Sequence, residues 1–279
     1  SSTVVNKLRW LLNAQKAGHA GTLDPDATGL LAVAFGEATK TIPYLTDALK
    51  SYDFTVRFGA ATSSDDASGD VIETSNHRPS QFDIKIALGS FRGHIEQIPP
   101  QVSAVKVDGE RAYDLAREGA VMDLAARPLF VEALNLVSFD GETAQLSMTC
   151  GKGGYVRSIA RDLGRTTGGC AHVGWLRRTS SGPFTLTDAI LFADWAEADR
   201  DNATPLHNAL RPVHAAMQEY PDVTLAPDTV ISVRNGNPVR VTETTAPDGE
   251  VALAFDGDDL IAIGEYRSGL FSPHRVLNP

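Results

Sequence analysis

Gly18-His19-Ala20-Gly21-Thr22-Leu23-Asp24-Pro25-Asp26-Ala27-Thr28-Gly29-Leu30-Leu31 is the segment on which the reading of this chain turns. Its three glycines permit tight turns and close approach by a ligand. Pro25 biases Asp24 towards an extended backbone, because the ring disfavours helical geometry in the preceding residue. A carboxylate held in a rigid turn is preorganised for chemistry. The plainer alternative is an Asp cap with Pro at the first helical position. His19 alone reads as an ordinary surface or core histidine.

Outward from this segment, helical and strand patterns interleave. Val4, Val5, Leu8, Leu11 and Leu12 predict a helix over 3–17. Residues 30–35 predict a short buried strand and 37–49 a helix. Tyr52, Phe54, Val56 and Phe58 alternate with polar residues, which predicts a half-buried strand. Further on, 61–69 reads as a polar loop, 81–91 as a helix, 102–107 as a strand and 110–118 as a helix. Residues 129–139 and 144–149 flank Asp140-Gly141, a hairpin signal. Then come a helix over 156–164 and a strand beginning at 173. From 221 onward, 230–233, 239–241, 251–255 and 260–263 predict a small β-rich domain. The pattern predicts a mixed α/β (α+β) chain with a largely antiparallel sheet flanked by helices.

The 279 residues suggest about two domains. No apolar run reaches the roughly 18 residues of a membrane span. Two cysteines, Cys150 and Cys170, give neither a disulfide framework nor a CxxC zinc pattern, and predict a reducing, cytoplasmic setting. Net charge is −10, which on its face argues against nucleic acid. Residues 189–279 carry 6 basic against 14 acidic side chains, whereas 152–178 carry six basic residues against one acid. Lys152, Arg157, Arg161, Arg165, Arg177 and Arg178 could track phosphates locally, because screening confines each charge to about 8–10 Å. A solvated helix face explains the same stripe equally well.

The opening stretch resembles the G-H-x-G-T-L-D-P-x-A-T-G-L-L motif of the TruB family, the bacterial tRNA pseudouridine-55 synthases. Lys50-Ser51-Tyr52 resembles the family's K-x-Y segment, and Phe58-Gly59 to Gly69 its next loop. Phe91-Arg92-Gly93 to Pro100, Ser103-Ala104-Val105-Lys106 and Tyr113 to Gly119 resemble its RNA-gripping insertion. Gly151 to Ser158 resembles G-T-Y-I-R, and Ala171-His172-Val173 to Thr179 its final core strand. Residues 221–279 match more weakly, best at Asn235-Gly236-Asn237-Pro238. Gly154 stands where the family has Thr, and Val102 where it has Tyr. The family's opening strand with its Lys-Pro turn has no counterpart here, so the sequence reads as lacking it.

The resemblance implies a pseudouridine-synthase catalytic domain over 1–188, an acidic connector over 189–220 and a PUA-like domain over 221–279. The implied activity is isomerisation of uridine 55 in the tRNA T-arm, by a monomer with neither metal nor organic cofactor. It implies Asp24 as nucleophile, Arg157 as its ion-pair partner, and Tyr52 as stacking ring and proton-transfer group. Attack on the sugar, attack on the base and removal of a sugar proton all remain open. It further implies that His19, Tyr155 and Leu176 contact the extruded uridine and its surroundings. Lys152, Arg161, Arg165, Arg177 and Arg178 are phosphate candidates. A protein that binds and refolds tRNA without chemistry is the alternative, against which the Asp24–Tyr52–Arg157 set argues.

Overall fold

The computed structural model describes all residues except 104, 105, 108, 109, 112–121, 242, 243 and 279. The chain forms two compact units, one of residues 23–30 and 47–181, the other of 1–22, 31–46 and 182–279. Each is built around its own sheet.

In the first unit the sheet runs β6–β2–β5–β4–β3, where β2 is Lys50–Phe58, β3 Gly93–Gln97, β4 Arg127–Phe139, β5 Thr143–Cys150 and β6 Ala171–Ser181. These strands pair antiparallel. The two-residue β1, Thr28–Gly29, lies parallel to β6. Strand alternation puts Phe54 and Val56 of β2 on the same face as Leu146 and Met148 of β5, all fully buried. Helix α1, Gln81–Ala87, starts at a reciprocal Ser80–Asp83 capping box. Helix α2, Val156–Thr166, buries Ile159 and Leu163 in the same core. Its far end crosses closely at Gly164, where a Cβ would stand 2.5 Å from Ala171 N. The β4–β5 turn is the expected one. Gly141 takes a φ of +103° and the Asp140 carboxylate accepts from the backbone of Glu142 and Thr143.

In the second unit, strands β7 Asp222–Thr224, β8 Val239–Arg240, β9 Glu250–Asp256, β10 Asp259–Arg267 and β11 Leu270–Val276 form a sheet in the order β7–β9–β10–β11–β8. Val223, Ile261, Ala262 and Phe271 fill its core. An N-terminal helix, Ser2–Leu11, and a short ladder of Ala17–His19 with Val33–Phe35 complete the described regular structure before residue 36.

The expected mixed class with a β-rich C-terminal part is thus observed. Several elements differ in detail. The first helix ends at Leu11 rather than 17, because Asn13 adopts a left-handed φ of 50° that a helix cannot continue. The predicted strand over 230–233 is a helix, Val230–Arg234. Its β-branched run favours strand locally, but Val230 and Val233 are buried at i, i+3 spacing while Ile231 is 71% exposed. In the predicted loop, Ala60–Thr62 pairs with Val71–Thr74. Lys106–Val107 pairs with Glu110–Arg111, so the predicted helix over 110–118 does not begin there. The rest of that helix, with Tyr113 and Arg117, lies outside the described residues, as do Gly119 after it and Ala104 and Val105 of the predicted strand. Among the described residues no helix is long and apolar enough to cross a membrane.

Candidate active site

Asp24 sits in a turn closed by the Ala27 amide, which donates to the Asp24 carbonyl at 3.1 Å. The chain then leaves through β1, which docks on β6 with Thr28 opposite Arg177 and Gly29 opposite Arg178. This docking requires glycine. Gly29 has a φ of +95°, and a Cβ there would fall 2.1 Å from the Arg178 carbonyl oxygen. The glycine-flanked motif therefore serves backbone contact, and the contact fixes where Asp24 stands.

Arg157, at the start of α2, reaches Asp24 with two parallel hydrogen bonds. Nε donates to Oδ2 at 2.9 Å and Nη2 donates to Oδ1 at 2.9 Å. Nη1 donates to the Ser64 and Val102 carbonyls at 3.0 and 2.9 Å. The guanidinium side chain is 6% exposed and the Asp24 side chain 34%, so the carboxylate faces an opening that its partner does not. A bidentate pair of this kind fixes orientation as well as charge. The start of α2 is itself pinned from β3. Buried Gln97 accepts from the Tyr155 amide at 2.9 Å and donates to the Tyr155 carbonyl at 3.1 Å. Ser158 Oγ donates to the Ile98 carbonyl at 2.8 Å.

A second carboxylate stands behind the pair. Asp66 Oδ2 lies 3.8 Å from Arg157 Nε. Burial pushes its carboxyl up, but hydrogen bonds from Ser64 and Ser68 and the Arg157 charge outweigh that and hold it below the usual range. Its neighbour Asp65, with a left-handed φ of 61°, pairs with Arg161 at 3.1 Å. Burial raises the Asp65 carboxyl against the pull of Arg161. Asp24, Asp26, Asp66, Ser68, Arg157, Trp175 and Leu176 line one cleft.

Of the residues singled out from sequence, Asp24, Arg157 and Leu176 line this cleft together. Tyr52 is half-buried on β2 and packs on the core. Burial pushes its hydroxyl up to about 12, with Cys150 and Asp24 adding to the rise and Arg178 opposing it. Tyr155 is half-buried immediately before α2, and burial raises its hydroxyl too. His19 belongs to the other unit, where it pairs with Val33. Arg177 is exposed on β6, and Arg165 and Lys152 are exposed but touch Asp162 and Asp47 at 3.6 and 2.7 Å. Arg161 and Arg178 are buried and hydrogen-bond within the protein, to Asp65, Asp162 and Ile98 for one and to Leu30 for the other. Their burial removes these two from the residues a phosphate could meet. Gly154, where Thr was expected, has its own reason: a Cβ would stand 2.6 Å from Cys150 Sγ.

Sequence reasoning took Asp66 and Gln97 only as members of matched segments and gave no role to them or to Trp175. The first signal was present, since Asp65-Asp66 in a serine- and glycine-rich loop is a concentrated charge. Gln97 carried none, because a buried amide that caps a distant helix looks like any polar residue.

Comparison with known proteins identifies the family. The TruB family pseudouridylate synthase (N terminal domain) profile matches residues 9–156, and the tRNA pseudouridylate synthase B C-terminal domain profile matches 157–218. Proteins named tRNA pseudouridine synthase B are 55% identical over 279 residues in Cereibacter sphaeroides and 54% over 278 residues in Paracoccus denitrificans. Each match covers 100% of this chain and 92% of the relative. The structure of a Cbf5-Nop10-Gar1 complex matches with a TM-score of 0.75 at 25% identity, over 99% of this chain and 80% of the other. An H/ACA RNP bound to a substrate RNA containing 2'-deoxyuridine shares the fold at a TM-score of 0.74 and 21% identity, over 100% of this chain and 81% of the other. With the two profiles together spanning residues 9–218 and these relatives matching along the whole chain, the chain belongs to the TruB family of pseudouridylate synthases.

Proposed function

We propose that this protein converts uridine 55 in the T-arm of tRNA to pseudouridine, with Asp24 as the nucleophile on a flipped-out uridine. The observation that carries the reading is the bidentate Asp24–Arg157 pair at an open cleft, with its carboxylate partly exposed and its guanidinium buried. The names of the relatives support tRNA as substrate. The reaction breaks the N–C glycosidic bond, turns the uracil and forms a C–C bond through C5; a proton leaves C5 for solvent and the freed N1 takes one up. It is an isomerisation, so no atoms are gained overall. Arg157 holds Asp24 ionised and aimed. Tyr52 offers a ring and a hydroxyl, and Tyr155 and Leu176 an apolar wall for the base. Residues 1–188 form the catalytic part in this reading and 221–279 a PUA-like part.

The test is release of tritium from T-arm RNA labelled at uracil C5. Asp24→Asn keeps size and backbone restriction but removes the charge. It should fold, bind the RNA as the parent does, and release no tritium. Binding survives because phosphates and stacked bases supply most of the contact. Parent-like release from Asp24→Asn removes Asp24 as nucleophile. No release from a parent that binds the RNA leaves the refolding alternative.

A further inference from the structure

Trp175 is 40% exposed and lines the cleft that holds Asp24. A single exposed apolar side chain is ordinary on a protein surface. Trp175 differs in how the strand turns it and in what surrounds it. Strand β6 is irregular between Val173 and Trp175, opposite Val56 and Thr55 of β2, with Gly174 as the extra residue. Strict alternation from buried Val173 would send the indole into the core. The extra residue sends it outward and brings Leu176 in. Gly174 fits tightly at this point, where a Cβ would stand 2.9 Å from Thr55 Oγ1 and 3.0 Å from Arg57 Cγ.

The free edge of β6 is covered on both sides of the indole. The Val173 amide donates to the Asp65 carbonyl at 3.0 Å, and Thr28 of β1 lies opposite Arg177. Gly174, Trp175 and Leu176 line the cleft between these two attachments. Asp24, Asp26 and Asp66 line it too, against one cation, Arg157, whose fork is taken by Asp24. Such a lining repels phosphate, so hold on an RNA within the cleft has to come from its neutral bases. Trp175 is the one aromatic among the described residues of the lining, and an indole face accepts any base. Arg177 is exposed two residues further along the same face of β6, about 7 Å away by the strand rise. A stacking ring with a cation at the next position on its face is how proteins hold single-stranded nucleic acid.

We propose that Trp175 stacks an unpaired base of the substrate RNA other than the target uridine, with Arg177 meeting the backbone phosphate beside it. The proposal rests on the reading above, in which RNA enters this cleft and the uridine packs on Leu176. Trp175 and Leu176 project to opposite faces of the strand, so one base cannot meet both side chains. The contact is made away from the reacting bond and is the same before and during the reaction. It therefore acts on binding and KM rather than on kcat.

The experiment compares the parent with Trp175→Ala, Trp175→Leu and Trp175→Phe, using the full chain and a T-arm stem-loop. Trp175→Ala should raise Kd and KM about tenfold, with kcat changed less than about threefold. Trp175→Phe keeps a ring and should recover most of the loss, whereas Trp175→Leu keeps only apolar bulk and should not. The slope of log affinity against log salt should stay that of the parent, because stacking releases no counterions. A double-mutant cycle then identifies the base. Each unpaired loop nucleotide except the target is replaced in turn by an abasic one. One of these RNAs should bind the parent about tenfold more weakly and lose nothing further with Trp175→Ala. Additive losses at every position, an unchanged Kd in Trp175→Ala, or full rescue by Trp175→Leu overturns the proposal. Should Trp175→Ala fail to fold, the cycle is run with Trp175→Leu, and additive losses there overturn it equally. A parent that neither binds T-arm RNA nor forms pseudouridine sinks the reading beneath the proposal. An active parent with additive losses sinks the proposal alone.

Discussion

Arg157 grips both carboxylate oxygens of Asp24 while its third nitrogen donates to two backbone carbonyls, those of Ser64 and Val102. Four directed hydrogen bonds leave the guanidinium one orientation, and the carboxylate inherits it. The charge alone is therefore not what the site uses.

Arg157→Lys tests this directly. A lysine keeps the charge but is a point donor without the planar fork. The variant should fold and bind T-arm RNA, yet form pseudouridine at least about tenfold more slowly in single turnover. Arg157→Met should fare worse and lose stability as well, because a carboxylate and two carbonyls are left without their donor. Tritium release and thermal melting of both variants make the comparison. A parent-like rate in Arg157→Lys would mean that Asp24 needs only a nearby cation.

Arg177 and Arg178 are neighbours with opposite fates, one exposed and one buried. Arg177→Glu should weaken T-arm binding and reduce the slope of log affinity against log salt by about one, as loss of a single phosphate contact does. Arg178→Glu should instead lower the melting temperature, since it places a carboxylate beside carbonyl oxygens in a dry site. Binding titrations at several salt concentrations, with melts alongside, separate the two. Unchanged affinity and slope in Arg177→Glu would move the phosphate track off this strand.

That contrast also marks where sequence could and could not be read. The strict alternation of β2 was legible because one periodicity governs the whole strand. On β6 the alternation is broken by an irregularity between Val173 and Trp175, which turns Trp175 outward and brings Leu176 and Arg178 in. Counting charges along 152–178 could not reveal that three of the six basic side chains, Arg157, Arg161 and Arg178, are buried. The Asp24 turn and Arg157 were legible because an unusual motif marks them. Gln97 acts through contacts to Tyr155, far along the chain, and local pattern says nothing about those.

Lys50 supplies a test by pH. It is 5% exposed, and its Nζ donates to the Ala48 carbonyl at 2.9 Å. Burial, and after it the Arg178 charge, draws the ammonium from 10.5 to about 8. Below about 8 the folded and unfolded chains both hold the proton, and folding carries the full cost of burying it. Between about 8 and 10.5 the folded chain has released the proton and the unfolded chain has not, so stability rises with pH across that window. Above it the two states match and the cost is gone. At 1.36 kcal/mol per pH unit the rise amounts to about 3 kcal/mol. Lys50→Met has no such group. The parent should therefore gain on Lys50→Met by up to about 3 kcal/mol between pH 7 and 10.5, as read by urea denaturation at matched pH values. Tyrosines and cysteines also titrate there, but they are common to both proteins and cancel in the difference. A difference that stays flat with pH would show that Lys50 keeps its ordinary proton affinity in the folded chain, and that its ammonium is better hydrated than its 5% exposure implies.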